Sequence, residues 1–183
     1  MIKKTKNFIL ASSSQSRKKI LKNTGLKFTV IKPKVNEEKY KKIFKKRKYN
    51  IKKTTSELAN LKCKYVAQKN KNRLVVGCDT LIKIDNKIIY KAKNLSQAKK
   101  KLNKLSGKKH EIYSSAVVYL NNKKIWKATE KTTVKIRTIS KKEINTYLKN
   151  CGKKIIKSVG CYEIEKKGPN IIEYINGDFF NVM

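Results

Sequence analysis

The sequence predicts an α/β fold with a mixed sheet, and three observations support this prediction. The 183 residues are enough for one domain, and 39% of them are hydrophobic, so the chain can form a core. Short apolar runs with the length of buried strands recur along the chain. Amphipathic helical patterns alternate with those runs, and this alternation is typical of a sheet flanked by helices.

In the first half of the chain, the apolar run at 7–11 predicts a buried strand. A serine-rich turn follows, and after it the pattern predicts a helix over 17–23 and a strand over 27–32. Residues 39–53 are mostly Lys, Tyr, Ile and Phe without clear periodicity, which leaves either a charged connector or a poorly packed helix. Thr54 and Glu57 have the spacing of a capping box, so the next helix is predicted to begin there.

The second half of the chain continues the alternation of strands and helices. Residues 74–77 form an apolar run just before Asp79, which predicts that Asp79 lies at the carboxyl end of a strand. The pairs Asp85-Asn86 and Asn121-Asn122 each predict a hairpin turn. The other predicted elements are a helix opened by Ser96, a helix with a capping box of Ser140 and Glu143, and a strand at 171–172.

The chain is strongly basic, with 48 Lys and Arg residues against 12 Asp and Glu residues and a formal net charge of +36. Such a charge is typical of proteins that bind nucleic acid. However, 44 of the 48 basic residues are lysines, whereas recognition of base edges favours arginine. We therefore expect no specific nucleic-acid partner, and a basic protein associated with nucleic acid or ribosomes stays the alternative function.

Apolar segments also bear on location. No apolar stretch approaches the ~20 residues that a membrane span needs, so we expect no membrane partner. The apolar run at 8–11 is shorter than the roughly 7–15 residues of a signal-peptide core, and a cytoplasmic location is expected.

No CxxC pair occurs and the chain has one histidine, so no zinc site is expected for the four cysteines, Cys63, Cys78, Cys151 and Cys161.

Acidic residues beside turns suggest a site for a ligand. Asp79, placed at the end of a strand, would lie where open α/β sheets bind ligands. The serine-rich turn leads into a helix with Arg17, and helix N-terminal amides together with an arginine suit a phosphate group. Glu37 would join Asp79 around a hard cation such as Mg²⁺. Ordinary roles stay open for the same residues, namely helix caps for the serines, a turn for Asp79 and a solvated position for Arg17.

Blocks of residues between 10 and 182 resemble, in order, the motifs of one known family. Residues 10–21 (LASSSQSRKKIL) are similar to LASxSPRRxxLL, and residues 76–80 (VGCDT) are similar to the end of VIGADT. The other matching blocks are 33–37, 58–63 (similar to LAxxKA), 91–94 (KPxN), 105–113 (LSGxxHxVyT), 159–168 (GaYxIQxxG) and 175–182 (IxGDyxNV). Together they resemble the Maf family of nucleoside triphosphate pyrophosphatases.

The resemblance implies an elongated fold of the Maf and inosine-triphosphatase type, with a twisted mixed sheet, flanking helices and a central cleft. It also implies hydrolysis of nucleoside triphosphates, including modified ones, to a monophosphate and pyrophosphate with Mg²⁺ or Mn²⁺. Asp79 would be the proton acceptor, and Glu37 and Asp79 would hold the metal ion. The residues that would bind the triphosphate are Ser12, Ser14, Arg17, Lys62 and Lys91.

Three positions by which the family is sorted for substrate are occupied here by Ser16, Thr80 and Glu165. Thr80 resembles the branch that cleaves dTTP and UTP. Ser16 and Glu165 look more like branches that prefer other nucleotides, such as 7-methyl-GTP. Other departures from the family pattern are Gln15 and Ala92, where proline is usual, and Asn36, where aspartate is usual.

The family usually continues beyond Asn181-Val182-Met183 into a Gly-Leu-Pro segment and a final helix. The expectation is therefore a single Maf-like domain over residues 1–183 without that helix, with a homodimer left open. A family member that binds nucleotides without cleaving them is a further alternative to the enzyme.

Overall fold

The computed structural model describes residues 7–183, which form one mixed sheet with helices around it. The strands are β1 (Phe8–Ala11), β2 (Phe28–Val30), β3 (Val75–Ile84), β4 (Lys87–Ile89), β5 (Lys109–Leu120), β6 (Lys123–Ile136) and β7 (Ile172–Asn176). The α-helices are α1 (Gln15–Asn23), α2 (Glu37–Lys46), α3 (Ile51–Ala67), α4 (Leu95–Leu105), α5 (Lys141–Cys151) and α6 (Phe179–Val182). Short 3₁₀ helices cover Gly152–Lys157 and Gly168–Asn170.

The strand order in the sheet is β2-β1-β3-β5-β6-β7, and β4 pairs with β3. Strand β1 is parallel to β2 and β3, whereas β4 is antiparallel to β3 and β7 is antiparallel to β6. The predicted α/β fold with a mixed sheet is therefore confirmed.

The chain folds as two compact units. The first unit contains the described residues up to Asp79 together with Ser114–Thr129, and the second contains Thr80–Tyr113 and Glu130–Met183. A single domain over residues 1–183 stays a prediction, and residues 1–6 lie outside the described part.

The core of the first unit is built on β1 and α3. Strand β1 is buried because it has neighbours on both edges, with Ile9 opposite Thr29 on one side and Val75 on the other. Helix α3 turns a buried face towards this strand. The side chains that form this core include Ile9, Ala11, Ala59, Cys63, Val66, Val75 and Val117.

The second unit has a larger core between α4, α5 and the sheet. Leu102 of α4 and Ile144 of α5 are fully buried, and the two helices contact each other. The buried residues of each helix are three or four positions apart and form one apolar face, which is the amphipathic pattern expected for helices on a sheet. Other core residues are Ile84, Leu105, Val134, Ile136, Ile155 and Tyr162.

The two predicted hairpin turns and the predicted capping box of Ser140 and Glu143 are confirmed. Asp85 and Asn86 both have positive φ, 48° and 58°, and so do Asn121 and Asn122, with 48° and 61°. These values match the two-residue hairpin turns in which Asn and Asp are favoured. In helix α5, Ser140 and Glu143 form the complete capping box.

The predicted start of α3 is wrong. The helix begins at Ile51, and Asn50 is its N-cap, with Oδ1 accepting a hydrogen bond from the Lys53 amide at 2.8 Å. Thr54 and Thr55 are buried inside the helix, where the Thr55 hydroxyl donates to the Ile51 carbonyl. Asn is as good a cap as Ser or Thr. The capping-box spacing at Thr54 therefore placed the predicted start of the helix about one turn too late.

Two further boundaries differ from the predictions. Helix α4 is capped by Asn94, whose side chain accepts from the Gln97 amide, so the helix begins before Ser96. Much of the segment 39–53, left open as connector or helix, is helical: α2 continues to Lys46, and α3 begins at Ile51.

The position of Asp79 in its strand also differs from the prediction. Strand β3 does not end before Asp79 but continues to Ile84. The parallel pairing with β1 does end there, because Ala11 and Gly77 are its last partners. Asp79 therefore lies inside a strand but just beyond the end of the neighbouring strand.

In the part of the chain that the structure describes, none of the helices has the length and apolar character of a membrane span. The four cysteines are free thiols, and Cys63 and Cys161 are buried.

The capping box of α5 predicts a specific dependence of stability on pH. The Ser140 amide and the Arg137 guanidinium donate to the Glu143 carboxylate and lower its pKa to about 2. A lowered pKa stabilises the fold above the ordinary pKa of 4.5, and this contribution is lost as the pH falls towards 2. Urea unfolding should therefore show Glu143→Gln less stable than wild type at pH 7, with the difference shrinking below pH 4.5.

Glu130→Gln is the matched control, because Glu130 is exposed on β6 and the charge change is the same. A stability difference for Glu143→Gln that stays constant between pH 7 and pH 3 would contradict the assignment.

Candidate functional site

The end of β1 and the start of α1 gather three of the predicted site residues. Ser14 is the N-cap of α1, and its hydroxyl accepts from the Arg17 amide. The Ser12 hydroxyl accepts from the Ser14 amide at 3.2 Å and from Arg17 Nη1 at 3.1 Å. The serine-rich turn therefore caps the helix and also holds the side chain of Arg17.

Arg17 links this turn to strand β3. Its Nη1 donates to the Cys78 carbonyl at 2.9 Å, directly before Asp79 in the sequence. The guanidinium therefore connects the turn after β1 with β3, and its charge acts on Asp79. The planar guanidinium is the side chain best suited to bidentate contacts with phosphate.

Asp79 and Lys62 form a buried ion pair at the same place. Asp79 is 5% exposed and Lys62 is 9% exposed. Lys62 Nζ lies 2.5 Å from Asp79 Oδ1 and 2.8 Å from Glu37 Oε1, so one ammonium group contacts both carboxylates. Removing one partner of such a buried pair typically costs about 3–5 kcal/mol, because the other charge is left uncompensated.

Helix α2 contributes Glu37 from its first turn. Glu37 follows the N-cap Asn36, whose side chain accepts from the Lys39 amide. Asn36 thus caps α2, a role that asparagine fills as well as aspartate. A glutamate in the first helical turn is also favoured by the helix dipole.

Lys41 is a site residue that sequence reasoning missed. Its Nζ lies 3.5 Å from Glu37 Oε2 and 3.1 Å from Glu38 Oε1, and its side chain is only 14% exposed. The sequence feature that could have indicated it is the spacing of four residues between Glu37 and Lys41, because residues with this spacing are neighbours on a helix. It was hidden because residues 39–53 were not assigned to a helix.

Opposite effects act on the two carboxyl groups. Burial raises the pKa of Asp79 and outweighs the opposing effect of Lys62, so the net shift is upward. Burial also raises the pKa of Glu37, but there the charges of Lys62 and Lys41 outweigh it, and the net shift is downward. Asp79 is therefore the better proton acceptor of the pair, and Glu37 is the more firmly ionised.

Close packing of α3 on β3 brings Lys62 to Asp79. Gly77 lies against this helix, and a Cβ at Gly77 would be 2.5 Å from Cys63 Cβ, 2.7 Å from Cys63 N and 2.8 Å from the Ala59 carbonyl oxygen. Real side chains do not tolerate such distances, so only glycine permits this approach. Lys62 directly precedes Cys63 on the helix. The contact of Cys63 with Gly77 therefore places the motif at 58–63 next to the motif at 76–80.

Two carboxylates of the site, Asp79 and Glu37, are the residues that could hold a divalent metal ion. Asp79 Oδ2 is buried and has no hydrogen-bond partner, which leaves one carboxylate oxygen available. Among the described residues no group of three or more His, Cys, Asp or Glu side chains is placed to hold a metal. Mg²⁺ commonly takes one or two carboxylates and completes its shell with water and phosphate oxygens, so Asp79 and Glu37 are sufficient.

The remaining predicted residues are distributed over both units. Ser16 lies in α1 of the first unit and is half-buried. Thr80 follows Asp79 in β3, is half-buried and begins the second unit. Lys91 is exposed in the second unit, and Glu165 of the same unit has a buried Oε2 atom without a hydrogen-bond partner. The structure thus brings together Ser12, Ser14, Arg17, Glu37, Lys62 and Asp79 within the first unit.

A helix N-terminus with an arginine at the end of a parallel strand, as in α1, is an arrangement that suits a phosphate group in α/β proteins. A family model described as Maf-like protein matches residues 7–183. The chain therefore belongs to the Maf family.

Relatives with curated names cover most of the chain. A 7-methyl-GTP pyrophosphatase from Bartonella quintana (strain Toulouse) is 34% identical over 175 residues, which are 96% of this chain and 87% of the relative. A nucleoside triphosphate pyrophosphatase from Caulobacter vibrioides is 32% identical over 174 residues, 95% of this chain and 87% of the relative. Another from Pelagibacter ubique is 32% identical over 178 residues, 97% of this chain and 91% of the relative.

The contact between Gly77 and α3 predicts an effect of a single methyl group. Gly77→Ala should destabilise the protein by about 1–3 kcal/mol, because the helix main chain must move to avoid overlap. Urea unfolding measures this loss, and hydrogen exchange should show faster exchange of the α3 amides around Cys63.

Gly25→Ala is the control, because no atom lies within 4 Å of a Cβ there and only the φ of +72° is unfavourable. Its cost should be about 1–2 kcal/mol without any change in exchange of α3. Unaltered exchange in α3 of Gly77→Ala would show that the close approach has no structural role.

Proposed function

We propose that this protein hydrolyses nucleoside triphosphates to nucleoside monophosphates and pyrophosphate. The observation that supports this most directly is Asp79, a buried carboxylate with one oxygen on Lys62 and the other without a partner. The names of the relatives, which are nucleoside triphosphate and 7-methyl-GTP pyrophosphatases, point to the same reaction. In that reaction a water oxygen bonds to the α-phosphorus, and the bond from this phosphorus to the bridging oxygen breaks.

Asp79 acts as the proton acceptor for the attacking water. Lys62 holds Oδ1, so Oδ2 is the oxygen that receives the proton. Burial raises the pKa of Asp79, which makes it a stronger base than a solvated aspartate. The electron pair of the broken bond leaves with pyrophosphate.

Glu37 and Asp79 are the residues that would hold a divalent cation, Mg²⁺ or Mn²⁺. Such an ion supplies positive charge that neutralises phosphate oxygens and favours departure of pyrophosphate. Lys62 contacts both carboxylates, so its ammonium group keeps the two acids together while adding positive charge of its own.

Cationic and hydroxyl side chains bind the triphosphate. Arg17 is oriented by Ser12 and the Cys78 carbonyl, and together with the turn residue Ser14 it forms the phosphate-binding end of α1. Phosphoryl transfer depends mainly on positioning and charge neutralisation, so these contacts account for a large part of the rate. Lys62 and Lys91 complete the proposed set of phosphate ligands.

Ser16, Thr80 and Glu165 are the proposed determinants of the base. Glu165 is the most informative of the three, because its buried Oε2 has no hydrogen-bond partner and an acceptor of this kind suits the donor edge of guanine. Two relatives from Bartonella are named 7-methyl-GTP pyrophosphatases, which supports a modified guanine nucleotide as one substrate. The proposed role is removal of modified or surplus nucleotides from the cytoplasmic pool.

The reaction is tested by pyrophosphate release from a panel of nucleoside triphosphates in the presence of Mg²⁺ or Mn²⁺. Asp79→Asn should lower kcat by about 10²–10⁴-fold, because proton transfer is lost while the shape of the site is kept. Binding of nucleotide to the variant, measured by calorimetry, should remain.

Asp85→Asn is the control with the same charge change, at the exposed hairpin turn between β3 and β4. Nucleotide binding by wild type without pyrophosphate release above the Asp79→Asn level would identify a family member that binds without cleaving, and the proposal would be wrong.

The base preference is tested at Glu165. Glu165→Gln should lower the ratio of kcat/KM for guanine nucleotides, 7-methyl-GTP included, to kcat/KM for UTP by about 10–200-fold, the range of one such contact. Glu163→Gln is the control, since Glu163 is two residues away and pairs with Lys166. An unchanged ratio in Glu165→Gln would exclude Glu165 as a specificity residue.

A further inference from the structure

A dense cluster of positive charge lies on α2, on the turn that follows it and on the start of α3. Nine of the fifteen residues 39–53 are Lys or Arg, and none is acidic. We call the exposed members of this set the basic surface: Lys39, Lys42, Lys45, Lys46, Arg47, Lys48, Lys52 and Lys53.

The basic surface exceeds the general lysine richness of the chain. Lys and Arg make up 48 of 183 residues overall, about one in four, whereas they make up nine of fifteen here. Within residues 7–183, no carboxylate forms an ion pair with any of the eight side chains of the basic surface. The charge is therefore left for an external anion.

Aromatic packing gives the basic surface a fixed support. The Phe44 ring is 6% exposed and stacks on Tyr49 with a centroid distance of 5.3 Å, and Tyr40 packs on Phe44 at 6.0 Å. Lys53 Nζ lies 4.0 Å from the centre of the Tyr49 ring. The cations thus lie on folded helices, and several of them are at the C-terminal end of α2, where the helix dipole favours positive charge.

We propose that the basic surface binds the phosphate backbone of nucleic acid without sequence preference. Lysine ammonium groups act as point charges on phosphates and have no planar fork for reading bases, so the proposed binding is governed by charge and salt. This function is separate from hydrolysis, because the residues of the basic surface are not among those proposed to bind or cleave nucleotide.

A phosphate backbone fits better than a lipid surface or a protein. Helices that bind membranes insert exposed apolar side chains next to their lysines, but on α2 the apolar Phe44 is buried and Ile43 is half-buried. Lysine is depleted in protein–protein interfaces, whereas it is common in contacts with phosphates.

The test compares two fourfold variants with the same change in net charge. The surface variant combines Lys42→Gln, Lys45→Gln, Lys46→Gln and Lys52→Gln. The control variant combines Lys93→Gln, Lys99→Gln, Lys100→Gln and Lys104→Gln, all at exposed positions on or next to α4. Binding of a fluorescent single-stranded oligonucleotide of about 20 nucleotides is followed by anisotropy across a salt series.

The surface variant should bind the oligonucleotide at least about 10-fold more weakly than the control variant at low salt. Its slope of log affinity against log salt should be smaller than that of wild type by about 3, which corresponds to four lost phosphate contacts on a single strand. Pyrophosphate release should be the same in the surface variant and in wild type, so failure of this proposal would leave the proposed hydrolysis intact.

Equal losses in the two variants would show that binding depends only on total charge, and the proposal would be overturned. The same conclusion follows if wild type does not bind the oligonucleotide at low salt. Binding to anionic vesicles in the absence of oligonucleotide binding would also overturn it, in favour of a lipid surface.

Discussion

The ion pair between Lys62 and Asp79 is the interaction on which the rest of the site depends. A lysine and an aspartate that are both more than nine-tenths buried stabilise each other only while they remain in contact. This contact fixes helix α3 relative to β3, and the same ammonium group fixes Glu37 of α2. Three segments that are distant in sequence are therefore joined through one nitrogen atom, and the unpaired oxygen of Asp79 is a result of this arrangement.

The environment assigns different tasks to two similar acids. Deep burial raises the pKa of Asp79 and outweighs the opposing charges of Lys62 and Arg17. The ammonium groups of Lys62 and Lys41 lower the pKa of Glu37. Opposite shifts of two neighbouring carboxyl groups are a common way in which a site separates the role of a base from that of an ionised acid.

Much of this arrangement could be predicted from the sequence, because hairpin turns and the Ser140 capping box depend on local residues. The family motifs, found in their usual order, identified Glu37 and Lys62, which lie next to Asp79 in the structure. What could not be predicted has two causes. Strand β3 continues past Asp79 because it pairs with β4 further along, which is a tertiary contact. Helix α3 begins at Ile51 because Asn50 caps it, in competition with the capping-box spacing at Thr54. Lys41 was missed because a segment rich in lysine has no apolar periodicity from which a helix can be recognised.

Gly77 has a consequence for how this sequence can change over time. Two of the three atoms nearest to its missing side chain, Cys63 N and the Ala59 carbonyl oxygen, belong to the main chain of α3. A smaller residue on the helix would therefore not make room for a larger one on the strand. At most core positions a larger residue can be accommodated by a smaller residue at a neighbouring position. At Gly77 no second substitution can do this unless the helix that carries Lys62 also moves. Any side chain at residue 77 therefore requires a movement of the helix main chain that carries Lys62.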